Sequence, residues 1–138
     1  RLILFIDGIK LMMEHFPFGT GFGSFGSSIA ANYYSPIYER LGYQNNYGMS
    51  SEYSGFLTDC FWPTIFAQFG FIGLVFLFLI ICYFLLISIR KLKINRDAGF
   101  AMLMTIVYLL ITSVAESSFF NPTAFLFFIL FAVYEKEL

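Results

Sequence analysis

The chain has 138 residues, of which 59% are hydrophobic and 12% charged, with 20 Phe, 9 Tyr and a formal net charge of −1. Soluble domains carry roughly 45–50% apolar and about 25% charged residues, so this composition belongs to a membrane protein and excludes a soluble enzyme. No basic patch argues for nucleic acid, and a nucleic-acid module is excluded too. The chain opens on Arg1 with no basic segment, apolar stretch and cleavage site in succession, so no signal peptide is read. Two or three spans make a poor self-contained bundle, and further helices are expected upstream. Cys60 and Cys82 are 22 residues apart, roughly 30 Å along one helix, so they are not expected to bridge each other.

Residues 1 to about 16 read as an amphipathic helix. Leu2, Phe5, Ile6, Ile9, Met12, Met13 and Phe16 recur at three- and four-residue spacing, while Asp7, Lys10 and Glu14 take the other side. The segment is too short and too charged to span a bilayer, so it is expected to lie in the interface or to pack on other helices. Pro17 stops it. In the turn that follows, Gly21, Gly23 and Gly26 formally match G-x-G-x-x-G. The dinucleotide fingerprint needs a strand before it and a helix opening inside it, and neither is expected here. The glycines are read as a turn whose backbone can approach a partner closely.

From Ser27 to Thr58 the chain is polar and irregular, and it holds six of the nine tyrosines. Tyrosines favour a membrane–water interface. Aromatic faces beside amide side chains also suit sugar rings, which offer CH faces and hydroxyls; Tyr33, Tyr34 and Glu52 are candidates for that contact. Arg40 lies in an otherwise nearly neutral stretch, and its planar fork suits a phosphate or carboxylate; pairing with Glu39 or Glu52 is the alternative.

Between Thr58 and Gly73 the polar segment becomes a long apolar run, with Asp59 on its wet side. Residues 64–89 carry no charge and are long enough to cross about 30 Å of hydrocarbon. Four basic residues in Arg90–Asp97 mark a short cytoplasmic loop by the positive-inside rule. A second span is expected over 98–115 and a third over 119–134, with Glu135, Lys136 and Glu137 closing on the cytoplasmic side. Glu116 near a membrane face is costly enough to ask for a partner or a polar cavity; a hinge at the wet surface is the alternative. The expected fold is thus all-α: spans over 64–138, and over 1–63 an interfacial helix with a large irregular loop on the outer face.

Three stretches make this pattern resemble the C-terminal part of the O-antigen polymerase and O-antigen ligase family of bacterial inner-membrane glycosyltransferases. Arg1, its helix and the turn from His15 to Phe25 are similar to the family's arginine, helix and proline–glycine turn. Ile65 to Gly73 resembles the family's entry into a late membrane helix, with Gln68 where glutamate is common. The basic loop and two closing spans complete the likeness, which covers essentially the whole chain. Ligases typically carry His-Asn where Asp59-Cys60 stands, and that departure favours a polymerase-like member.

The resemblance implies transfer of a glycan from a polyprenyl pyrophosphate to a sugar hydroxyl at the outer face of the inner membrane, without metal or other cofactor. Its partners would be the lipid-linked oligosaccharide, membrane lipid and a chain-length regulator protein. Arg1 and Arg40 would stabilise the leaving pyrophosphate, and Asp59 would take the proton from the acceptor hydroxyl or orient it. Gly19, Gly21 and Gly23 with the tyrosines would shape the glycan groove. Capping of the helix near Pro63 is the plainer role for Asp59, and packing the plainer role for His15. A ligase, or a non-catalytic transporter of lipid-linked sugars, stands as the alternative. Transporters place ionisable groups near the midplane of their spans, whereas here they concentrate in the outer segment.

Overall fold

The structure is a computed structural model that describes residues 1–136; Glu137, expected to close the cytoplasmic side, and Leu138 lie outside the described residues. Among the described residues the regular elements are helices: α1 (Leu2–Glu14), α2 (Ser28–Asn32), α3 (Pro36–Arg40), α4 (Phe61–Ile94), α5 (Arg96–Ala115) and α6 (Pro122–Lys136). Short 3-10 turns lie at Tyr43–Asn45 and Ser118–Phe120. Both α4 and α5 are long and apolar enough to cross a bilayer. The 15 residues of α6 rise about 22 Å, against a hydrocarbon thickness near 30 Å.

The α1 helix buries a stripe different from the one its apolar periodicity marks. Leu4, Gly8 and Leu11 face inward, while Leu2, Ile6, Ile9 and Met13 are exposed. Gly8 lies against Pro63, where an added Cβ would stand 3.0 Å from the proline Cα and carbonyl oxygen. The missing side chain is therefore what lets α1 lie on the start of α4.

The tyrosine-rich segment is folded rather than irregular. Phe25, Tyr38, Tyr43 and Leu57 are wholly buried and form one core with Leu4 and Leu11. Tyr38 and Tyr43 stack with ring centroids 5.6 Å apart and 12° between planes. Tyrosine enters a core when its hydroxyl finds a partner. Tyr38 Oη accepts from the Gly26 N–H at 2.8 Å, and Tyr43 Oη donates to Asp7 at 2.7 Å. Burial pushes the Tyr38 hydroxyl up to about 12. Burial first, then the bond to Asp7, pushes Tyr43 higher still.

Two boundaries differ from the sequence expectation. The basic stretch is not a loop: Arg90, Lys91 and Lys93 finish α4 and Arg96 opens α5, leaving Asn95 between them. Cations suit a helix C-terminus, and the Asn95 side chain accepts from the Ala98 N–H, so two helices meet without a longer connection. Nor is α4 one straight rod. Gly70 has φ 60° and ψ −152° inside it. In a continuous helix Trp62 and Phe78 would stand about 24 Å apart, yet they line one groove. The first half bends back at Gly70, and the Trp62 indole N–H donates to Ser113 Oγ of α5 at 3.0 Å. Farther along, Ile87, Met102, Ile106 and Phe131 knit α4, α5 and α6 into a second core.

Candidate functional site

The break at Gly70 is where the glycine turn docks. In a continuous helix the Ala67 and Gln68 carbonyls would serve the N–H groups of Phe71 and Ile72. Here they accept from Thr20 N at 2.7 Å and Gly21 N at 3.1 Å, while Ile72 N donates to the Pro17 carbonyl at 3.2 Å. The turn thus exchanges hydrogen bonds with the broken helix. A Cβ on Gly19 would stand 2.6 Å from both the Ala67 carbonyl oxygen and Gly70 N, and one on Gly70 would collide with the Gly19 backbone. Both residues have positive φ, so glycine is required twice over.

Gln68 and Thr64 lock the same junction. The Gln68 amide is buried; it accepts from Gly23 N at 2.9 Å and donates to the Phe25 carbonyl. The Thr64 hydroxyl donates to the Gly26 carbonyl at 2.9 Å. A glutamate at 68 would lack the donor that reaches Phe25, which gives a physical reason for glutamine here. Of the glycines proposed to line a glycan groove, Gly19, Gly21 and Gly23 have these backbone tasks, and Gly21 keeps open space at its Cα.

Arg1 and Asp59, 58 positions apart, come together at the other end of α1. Their nearest nitrogen–oxygen distance is 3.9 Å, with the Arg1 side chain 57% and the Asp59 side chain 32% exposed. Asp59 makes no capping hydrogen bond: the N-cap of α4 is Cys60, and no side chain caps that helix. Burial pushes the Cys60 thiol up, consistent with an inert packing residue. The pair is loose and wet, worth about 0–1 kcal/mol to the fold.

Arg40 does not join it. Its guanidinium donates to Glu14 at 3.1 Å, not to Glu39 or Glu52. Glu14 ends α1, so this contact is about 20 Å along the helix from Arg1. The tyrosines divide by depth. Tyr33 is exposed, whereas Tyr34 is half-buried at φ 43° with a buried hydroxyl that has no hydrogen-bond partner among the described residues. Tyr47, Tyr53 and Phe56 form an exposed aromatic cluster with centroids 5.7–6.3 Å apart, and exposed Glu52 adjoins Tyr53 in sequence. The sequence reading did not single that cluster out, because only the turn at Gly48, with Phe56 folded over it, brings the rings together.

No protein-family model, curated protein or solved structure matches the chain.

Proposed function

We propose that this chain is the C-terminal part of a multi-pass bacterial inner-membrane glycosyltransferase that polymerises lipid-linked oligosaccharide repeat units. Its donor would be a glycan on polyprenyl pyrophosphate, and residues 1–63 would lie outside the cell membrane. The observation that carries the reading is the docking of the His15–Phe25 turn into the helix entry at Gly70. Those are two of the three stretches on which the family resemblance rests, and they form one structural unit. Cations clustered where α4 meets α5, and acids concentrated around α1 and the segment before α4, support the orientation.

In the reaction the acceptor hydroxyl oxygen bonds to the anomeric carbon as the bond from that carbon to the pyrophosphate oxygen breaks. The pyrophosphate leaves with the electron pair, and the Arg1 guanidinium offsets its growing charge. The hydroxyl proton passes to Asp59, whose carboxylate is solvent-accessible and 3.9 Å from that guanidinium. Arg40, at the far end of α1, has no part in this step.

The test is glycan chain length on cells expressing full-length Arg1→Ala or Asp59→Ala. We expect single repeats in place of a ladder, with normal membrane abundance; full ladders from both variants would remove the assignment. Lipid-linked polymer that never reaches its acceptor would instead indicate a ligase.

A further inference from the structure

At the end where α4 meets α5, Arg90 and Lys93 are exposed and form no ion pair among the described residues. Ile87, Ser88 and Lys91 turn the other way, into the helix packing, and Lys91 is 1% exposed. Leu79, Tyr83, Leu86, Arg90 and Lys93 recur at spacings of four, three, four and three, and all five are exposed. Residues so spaced form one stripe along a helix, and Cβ atoms three apart stand about 5–6 Å from each other. The stripe is thus apolar for three positions and ends in two cations. The nearest acid in sequence, Asp97, sits in the first turn of α5, where the positive helix end already suits it.

We infer that this stripe binds one anionic phospholipid of the leaflet at the α4–α5 corner. Its phosphodiester would lie between Arg90 and Lys93, and an acyl chain along Leu86, Tyr83 and Leu79. The guanidinium fork and the ammonium both suit a phosphate oxygen. A zwitterionic headgroup would bring an ammonium of its own beside these cations, so charge complementarity selects a lipid that carries net negative charge. A free phosphate would meet the same two cations but gain nothing from the apolar stripe.

The seat is far from the reacting pair proposed above. Thr58, beside Asp59, accepts from Ser117 beyond the far end of α5, about 30 Å from the corner. The inference therefore rests on α4 crossing a bilayer and not on glycosyl transfer.

The experiment titrates the full-length protein, stripped of lipid in neutral detergent, with phosphatidylglycerol or phosphatidylcholine of the same acyl chains. Native mass spectrometry counts the lipid retained. Phosphatidylglycerol should bind the more tightly, and Arg90→Gln with Lys93→Gln should weaken it about thirtyfold, the worth of two cations near a charged surface. Arg40→Gln, which removes a cation already paired with Glu14, should leave it unchanged. Inorganic phosphate should not displace the lipid. Phosphatidylglycerol with a photoreactive diazirine in one acyl chain should label residues 79–86, which decides the matter if the double variant fails to insert. Equal retention of the two lipids, an unchanged affinity in the double variant or an equal loss in Arg40→Gln would overturn the inference. So would displacement by inorganic phosphate, or a stripe left unlabelled beneath another helix. Lipid retention needs no turnover, so it stands or falls separately from the ladder assay on Arg1 and Asp59.

Discussion

Where the glycine turn meets α4, the buried Gln68 amide answers two backbone groups, the Thr64 hydroxyl a third, and two glycines bring the backbones into contact. At the other end of α1, Arg1 and Asp59 stand 3.9 Å apart with water around both. The first region gains stability from saturation, since each buried polar group would cost about 1–3 kcal/mol if orphaned. The second contributes little to the fold and stays partly exposed. A junction saturated at one end of a helix thus stands beside a loose, accessible ion pair at the other.

Substitutions sharpen this contrast. Gly70→Ala should cause the largest loss of stability, well above ~2 kcal/mol, because a positive φ and a backbone collision add together. Thermal unfolding of the purified protein reads it, and a melting point within a degree of the parent's would show that the junction is plastic. Gln68→Ala follows at about 2–3 kcal/mol, having stranded Gly23 N–H and the Phe25 carbonyl. Tyr43→Phe should cost about 1 kcal/mol, the worth of its bond to Asp7.

Alkaline titration probes the same core. Free tyrosines ionise near pH 10, whereas Tyr38 keeps its proton to about 12. The folded state therefore holds protons that the unfolded chain releases, and stability present below pH 10 falls as pH rises toward 12. In Tyr38→Phe the slope should be shallower; an equal slope would assign the loss to other groups. The smallest stability effect belongs to Asp59→Asn, within about 1 kcal/mol of the parent. That variant should nonetheless abolish the glycan ladder, because an amide cannot take the proton, and the two readouts together would separate chemistry from scaffold.

Much of the helical plan was legible in the residues. Apolar runs at 64–89 and 98–115 foretold the two long helices, and the three- and four-residue spacing before Pro17 foretold α1. Those signals are local, since a run of apolar side chains or a period near 3.6 is written in neighbouring positions. The same local reading does not tell which apolar residues of α1 turn inward, because Leu2, Ile6 and Met13 are as apolar as Leu4 and Leu11, and only what lies alongside tells them apart.

Distance along the chain limited the rest. Tyr38 and Tyr43 look like surface tyrosines until Gly26 and Asp7 arrive as hydrogen-bond partners. Arg40 pairs with Glu14, 26 positions away, rather than with Glu39 or Glu52, which are nearer in sequence. Composition and periodicity by themselves determined that the chain is helical and membrane-like in makeup, and where its long helices run. Only the tertiary structure decided that Gly70 breaks α4, that Gly19 fills the break, and that Arg1 faces Asp59 while Arg40 does not. Hydrophobic pattern acts through near neighbours, whereas hydrogen bonds and close glycine contacts join residues dozens of positions apart, and no local pattern announces them.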